Sequence, residues 1–101
     1  MIKNITILGA GESGFGAAML AHQKGHNVFV SDISEIRKDI KSIFVKNSIK
    51  FEEKDHSFDK IKFSDLIIKS PGIPNTSIII SKIKSFDIPI ISEIEFASSY
   101  S

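Results

Sequence analysis

The stretch ITILGAGESG, residues 5–14, decides the fold of this chain. Its first four residues form a short, apolar and mostly β-branched run, which is typical of a buried parallel strand. Glycines follow at the spacing G-x-G-x-x-G, and a helix-favouring segment extends from there to residue 24. A strand, a glycine turn and a helix in this order predict the first unit of a nucleotide-binding α/β domain.

Each glycine of this turn has a separate predicted role. Gly9 permits a tight turn, Gly11 leaves space for a diphosphate beside the backbone, and Gly14 lets the helix pack closely on the sheet. Free amides at the start of the helix would then face the anion, where the helix dipole favours negative charge. An ordinary tight turn between a strand and a helix is the alternative interpretation.

Strands and helices continue to alternate along the rest of the chain. The apolar patterns predict further strands at residues 28–30, 49–51, 65–68 and 88–91, and helices at 36–44, 58–61, 78–86 and after Ser92. The last helix is indicated by Ser92 and Glu95, which have the spacing of a capping box. Because such units connect by right-handed crossovers, we expect a Rossmann-like, three-layer α/β fold with a mainly parallel sheet of about five strands.

The composition excludes several classes of protein. The chain has 101 residues, enough for one domain, and its net charge of +1 comes from interspersed charges, so no nucleic-acid partner is expected. No apolar run approaches the roughly 20 residues that span a bilayer, and no signal peptide is evident, so no membrane role is expected. The absence of cysteine excludes disulfides and thiolate sites, and the cytoplasm is the expected location.

Two further polar groups fall at the carboxyl ends of predicted strands. Asp32 lies 18 residues beyond Gly14, where dinucleotide-binding domains place an acid that accepts a hydrogen bond from a ribose hydroxyl. A uracil N–H is another possible donor, and capping of the second helix is the alternative role. The Ser70-Pro71-Gly72 segment would lie at the same edge of the sheet, where it is either a ligand-binding loop or an ordinary Pro-Gly turn.

The histidines have no predicted chemistry. His22 and His26 have the spacing of a helical metal pair, but Gly25 is expected to end the helix between them and no third ligand is evident. His56 lies in a charged loop without an evident partner, so all three are predicted to be ordinary surface residues. The chain also lacks G-x-x-x-x-G-K-[ST], the loop that would bind the phosphates of ATP.

Three segments together resemble the Mur ligases, and within them the D-glutamate-adding enzymes of peptidoglycan synthesis. They are LGAGESG at residues 8–14, IKSPGIP at 68–74 and ISEIEF at 91–96. The resemblance implies that residues 1–96 are the N-terminal domain that binds UDP-N-acetylmuramoyl-L-alanine, and that residues 97–101 begin a linker to an absent ATP-binding domain. The whole enzyme would use ATP and magnesium to activate the L-alanine carboxylate for attack by D-glutamate. This chain alone is expected to be inactive and to hold no cofactor.

The resemblance also assigns substrate-holding rather than catalytic roles, residue by residue. The glycine loop, residues 9–14, would surround the diphosphate. Asp32 and its neighbour would receive the uracil, and the Ser-Pro-Gly segment would line the cleft that holds the sugar nucleotide. The residues concerned are Gly11, Glu12, Ser13, Gly14, Asp32, Ile33, Ser70, Pro71 and Gly72. Because a carboxylate beside a diphosphate is unfavourable, only the backbone of Glu12 is expected to serve. Ile33-Ser34 stand where the family often has Thr-Arg, so a guanidinium contact would have to come from Arg37.

Three other functions stay open. An NAD(P)-binding Rossmann domain of an oxidoreductase or regulatory protein would use the glycine loop and Asp32 equally well, although it leaves the Ser-Pro-Gly-Ile and Ser-Glu-Ile-Glu segments unexplained. Another Mur ligase, such as the alanine-adding enzyme, is expected to have a different sequence in place of Ser-Pro-Gly. A protein interaction module is not positively indicated, and a fold alone does not decide between these functions.

Overall fold

Five strands form a single sheet in the computed structural model, which describes residues 1–100. They are β1 (Asn4–Leu8), β2 (Asn27–Ser31), β3 (Lys50–Glu52), β4 (Leu66–Lys69) and β5 (Ile90–Ser92), in the order β3-β2-β1-β4-β5. All four pairings are parallel, and Ile7 at the centre lies opposite both Val30 and Ile68. The predicted Rossmann-like α/β fold is confirmed, and within the described residues the sheet is wholly parallel.

Five helices connect or follow these strands. They are α1 (Glu12–Gln23), α2 (Lys38–Lys46), α3 (Phe58–Ile61), α4 (Ile78–Lys84) and α5 (Glu93–Ser98). The prediction that Ile36 belongs to the second helix is wrong, because that helix begins only after Arg37, whose ψ of 142° is extended. Ile36 is nevertheless buried, so it faces the core from the segment that precedes the helix. None of the helices in residues 1–100 is long and apolar enough to cross a bilayer.

The sheet is buried on both faces. Ile5 and Ile7 of β1 pack into one core cluster with the alanines of α1 and with Phe44 of α2. Leu8 points to the opposite face, where it packs with Ile80 and other apolar residues of the α3 and α4 layer. Successive side chains of a strand alternate between faces, so a strand covered on both sides is mainly apolar. The buried part of β1 is apolar except for Thr6, whose hydroxyl contacts the hydroxyl of Ser64.

The predicted capping box at the last helix is present. The Ser92 hydroxyl accepts a hydrogen bond from the Glu95 amide at 3.1 Å, and Glu95 Oε1 accepts one from the Ser92 amide at 3.2 Å. These bonds hold α5 so that Phe96 is buried against the core. The predicted linker, residues 97–101, includes Ser101, which lies outside the described residues, and its boundary stays a prediction.

We expect Ser92→Ala to lower the free energy of unfolding by about 1 kcal/mol, because an amide at the start of α5 loses its acceptor. Urea denaturation followed by circular dichroism measures this change. Ser42→Ala is the matched control, since the Ser42 hydroxyl bonds only the Lys38 carbonyl of its own helix, on an exposed surface. Equal stability of the two variants would contradict a stabilising role for the cap.

Candidate functional site

The glycine loop brings the start of α1 into close contact with the end of β1. Gly9 has a φ of +96°, and a Cβ built on Gly14 would lie 1.8 Å from the Gly9 carbonyl oxygen, so the backbones meet closely. Gly11 is the N-cap of α1. Because the first amides of a helix have no carbonyl partner within it, the amides that follow Gly11 are available to an anion.

Asp32 ties the glycine loop to the segment that follows β2. Its Oδ2 accepts a hydrogen bond from the Ala10 amide at 2.7 Å, and its Oδ1 accepts one from the Ser34 amide at 2.8 Å. The alternative role as a cap of α2 is wrong, because that helix begins six residues later at Lys38, with Arg37 as its N-cap. Each carboxylate oxygen keeps a further lone pair, so Asp32 can still accept a bond from a ligand.

The Ser70-Pro71-Gly72 segment forms a tight turn that touches the glycine loop. The Ile73 amide donates to the Ser70 carbonyl at 3.1 Å, and a Cβ on Gly9 would lie only 2.8 Å from the Cβ of Ser70. The segment therefore has the hydrogen bond of an ordinary turn and also forms one wall of the space above β1 and β4. The two interpretations of the sequence are compatible.

A cleft of about 390 Å³ opens where these three loops meet. Of the residues predicted to hold the substrate, those that line it are Gly11, Asp32, Ile33, Ser70 and Gly72. The other four flank it, because Glu12, Ser13 and Gly14 form the first turn of α1 and Pro71 is the exposed tip of the turn. Their roles toward a ligand stay predictions.

A larger hollow of about 1010 Å³ lies at the opposite edge of the sheet. It is lined by residues at the amino ends of strands, among them Asn4, Asn27 and Lys50. Ligands of open α/β sheets bind outside the carboxyl ends of the strands, at the point where the strand order reverses. That point lies between β1 and β4, so the smaller cleft is the candidate site.

Glu12 and Arg37 meet at the outer rim of the glycine loop. The Glu12 side chain is 92% exposed and turns outward, and the nearest guanidinium nitrogen of Arg37 is 4.0 Å from its carboxylate. Arg37 also pairs with Asp39 at 2.6 Å, and this hydrogen bond holds the pKa of the Asp39 carboxyl below its ordinary value. A contact from Arg37 to a uridine stays a prediction, since its guanidinium bonds Asp39 in this structure.

His56 has a buried partner, so the prediction of an unpartnered surface histidine is wrong. Its Nδ1 lies 2.7 Å from the hydroxyl oxygen of Ser31, a residue with no exposed surface. The Ser31 hydroxyl also contacts Glu52 Oε2 at 2.8 Å, and Glu52 accepts bonds from the Ser57 amide and hydroxyl at 2.7 and 2.6 Å. Pairing of β2 with β3 creates this network, which joins residues about 25 positions apart in the chain.

Burial and hydrogen bonding together determine the protonation states of His56 and Glu52. Burial lowers the pKa of His56 below its ordinary value of 6.5, and outweighs the opposing effect of the Glu52, Asp32 and Asp55 carboxylates. Burial alone would raise the pKa of Glu52, but the hydrogen bonds from Ser57 and Ser31 outweigh it and lower that pKa. At neutral pH the imidazole is therefore neutral and the Glu52 carboxylate is ionised.

We expect the free energy of unfolding to fall as the pH drops below 6.5 toward the lower pKa that His56 has in the folded chain. In that interval the unfolded chain binds more protons than the folded one, so acid favours unfolding. Urea denaturation across this range, compared between the native chain and His56→Gln, measures the effect. The variant should lose this part of the pH dependence while the control His22→Gln keeps it. An identical slope in His56→Gln would contradict the assignment.

Two further charged residues lie near the site, within the segments IKSPGIP and ISEIEF, and the sequence alone assigns neither of them a role. Lys69 Nζ donates to the Ile73 carbonyl at 2.6 Å and so braces the Ser-Pro-Gly turn. Glu93 lies behind the glycine loop, and its Oε1 is buried without a hydrogen-bond partner in the described part of the chain. Burial raises the pKa of Glu93, against the opposing influence of the Ser13 hydroxyl and of Lys69.

The described residues contain no cluster of three or more histidine, aspartate or glutamate side chains that could hold a metal ion. His26, one of the two histidines at helical spacing, instead accepts a bond from the Lys3 amide at 3.1 Å through Nδ1. Its Nε2 lies 3.0 Å from the Tyr100 hydroxyl.

Comparison with known proteins relates the chain to one family. The family model described as the MurD N-terminal domain matches residues 4–79. The UDP-N-acetylmuramoylalanine--D-glutamate ligase of Bacteroides thetaiotaomicron is 50% identical over 99 residues, which cover 98% of this chain and 22% of the relative. The enzyme of the same name from Christiangramia forsetii is 45% identical over 101 residues, which cover 100% of this chain and 23% of the relative.

A solved structure supports the same relationship. The pseudomurein peptide ligase type C from Methanothermus fervidus aligns with a TM-score of 0.86 and 29% sequence identity, over 98% of this chain and 20% of that chain. The alternative of an oxidoreductase gains no support from these matches. The chain spans about a fifth of the length of the curated relatives it matches.

Proposed function

The chain belongs to the MurD N-terminal domain family, and on that premise we propose that its cleft binds the UDP-muramoyl substrate of a D-glutamate-adding ligase. The observation that carries this proposal is the convergence of three loops above β1, β2 and β4. The glycine loop offers free helix amides, the segment after β2 offers a carboxylate, and the Ser-Pro-Gly turn closes the third side. This combination suits a ligand with an anionic diphosphate and hydrogen-bonding groups on either side of it.

Each part of the ligand has a proposed place. Gly11, the backbone of Glu12, Ser13 and Gly14 surround the diphosphate, because α1 begins there and its dipole attracts negative charge. Asp32 and Ile33 receive the uracil. Ser70, Pro71 and Gly72 line the part of the cleft that holds the sugar. These groups bind and orient, and their contribution to a reaction is to position the L-alanine carboxylate.

The chemical step belongs to a larger protein in this proposal. In the full-length ligase, ATP and magnesium activate the L-alanine carboxylate and D-glutamate then attacks it, at sites outside this chain. The sequence has no phosphate-binding loop of the G-x-x-x-x-G-K-[ST] type. We therefore expect no ligase activity from the chain alone, and a cytoplasmic location stays a prediction. Phosphate release by this chain with ATP, D-glutamate and the muramoyl substrate would contradict this.

Calorimetric titration with UDP-N-acetylmuramoyl-L-alanine tests the proposal, with UDP and NADH as comparators. We expect saturable binding of the uridine ligands. Binding of NADH alone would overturn the proposal in favour of a dinucleotide-binding domain. No binding of any ligand would contradict the idea that this chain suffices to hold the substrate.

We expect Asp32→Ala to weaken binding of the uridine ligands by about 10- to 100-fold, because a charge-assisted acceptor is lost and the glycine loop is released from Ala10. The same titration measures the change. Asp65→Ala is the matched control, since Asp65 also accepts a backbone hydrogen bond, from the Asn4 amide at 2.7 Å, but at the amino end of the sheet. Equal losses in both variants would indicate a general effect on the fold rather than a contact with the ligand.

A further inference from the structure

The imidazole of His56 lies between the buried Ser31 hydroxyl and the candidate cleft. The imidazole lines the cleft beside Asp32, Ile33 and Ser34. Its Nδ1 is turned inward to the buried Ser31 hydroxyl at 2.7 Å. Nε2 lies on the opposite side of the ring and makes no hydrogen bond within residues 1–100. The cleft therefore contains a half-buried polar group whose partner is not supplied by the described chain.

The hydrogen bonds around Ser31 decide which nitrogen carries the proton. An ionised carboxylate only accepts hydrogen bonds, so the single hydroxyl proton of Ser31 is donated to Glu52 at 2.8 Å. The Ser31 oxygen can then only accept from the ring, which places the proton of His56 on Nδ1. Glu52 also accepts hydrogen bonds from the amide and hydroxyl of Ser57, and these bonds fix the position of its carboxylate. Nε2 is left with a free lone pair on the side of the ring turned away from Ser31.

The ring stays neutral although carboxylates surround it. Glu52 on β3, Asp32 after β2 and Asp55 in the loop before α3 all favour protonation, but burial of the imidazole outweighs them and lowers its pKa. Lys60 on α3 acts on Glu52 in the same network. A neutral imidazole with a fixed tautomer is a hydrogen-bond acceptor of defined direction.

Building on the proposed function, we propose that His56 Nε2 accepts a hydrogen bond from the imide N–H of the uracil ring and thereby selects uridine over cytidine. Uracil carries a proton on its N3 atom, whereas cytosine has a lone pair there that would face the lone pair of Nε2. Asp32 can share this contact through its remaining lone pairs, while each of its oxygens also accepts a backbone amide. A buried acceptor left without a donor disfavours the wrong base more strongly than a missing apolar contact does.

Two substitutions separate the two nitrogens of the ring. His56→Asn places an amide nitrogen near the position of Nδ1, which preserves the bond to Ser31 and removes the acceptor in the cleft. His56→Gln places an amide oxygen near the position of Nε2, which preserves the acceptor and gives up the bond to Ser31. A purely structural role would make Gln the more damaging change, whereas contact with the base makes Asn the more damaging one.

Titration of UDP and CDP into the native chain and both variants tests the inference. We expect His56→Asn to bind UDP about tenfold more weakly, with most of the preference for UDP over CDP lost, and His56→Gln to retain most of both. Affinity of the native chain for UDP-N-acetylmuramoyl-L-alanine should fall as the pH is lowered through the pKa of His56, because protonation removes the lone pair, and His56→Gln should not show this fall.

The outcomes separate the two proposals. Equal weakening of UDP and CDP by His56→Asn would overturn the inference in favour of a ribose contact. Unchanged affinity of that variant for both UDP and CDP would also overturn it, while leaving the uridine-binding function intact. If the native chain binds neither UDP nor the muramoyl substrate, the proposed function fails and this inference fails with it.

Discussion

Gly14→Ala is expected to reduce the free energy of unfolding by more than about 3 kcal/mol and to prevent folding if the native chain is only marginally stable. The added methyl carbon would lie 1.8 Å from the carbonyl oxygen of Gly9 and 2.8 Å from its carbonyl carbon. Both atoms belong to the backbone at the end of β1, so no side chain can move aside to make room. Helix α1 would have to shift away from the sheet, and its buried residues Ala18 and Ala21 would lose their packing.

Thermal and urea denaturation followed by circular dichroism measure this effect. Gly16→Ala is the matched control in the same helix, because a Cβ at that position meets no atom within 4 Å. Alanine is the better helix former, so the control should be stabilised by as much as about 1 kcal/mol. A Gly14→Ala chain as stable as the native one would show that α1 does not approach β1 this closely.

Gly11→Ala is expected to preserve the fold and to weaken binding of UDP-N-acetylmuramoyl-L-alanine by about 100-fold. A Cβ on Gly11 would meet nothing within 4 Å, and the φ of −72° and ψ of −169° are open to any residue, so the folded chain accommodates the methyl group. In the proposed complex the same space belongs to the diphosphate, which must approach the backbone at the start of α1. The methyl group would displace that anion from the free amides.

Calorimetric titration gives the affinity, and the denaturation midpoint of the same sample shows whether the fold is intact. Gly16→Ala again serves as the control, since it adds a methyl group to the same helix away from the cleft. Unchanged affinity in Gly11→Ala would exclude a diphosphate at this position. The two variants therefore distinguish two roles of the loop. Gly11 leaves space for a ligand, and Gly14 leaves space for the backbone of the protein itself.

Much of the fold could be predicted because its signals are local. A strand buried on both faces is mainly apolar, so β1 is visible in residues 5–8, and the capping box at Ser92 marks the start of α5. The same local patterns do not fix the residue at which a helix or strand begins. Ile36 has the spacing of a helical residue, but this spacing reports only that a side chain faces the core, and Ile36 does so from extended backbone before α2.

The sequence by itself determined the order of strands and helices, the close approach required at Gly14 and the position of three loops at the carboxyl ends of strands. These features depend on the period of apolar residues and on the size of single side chains, both of which are visible in a short window. Only the tertiary structure decided which distant groups meet. His56 joins Ser31 because β3 lies beside β2, and its neutral charge follows from burial, which no pattern of neighbouring residues reports.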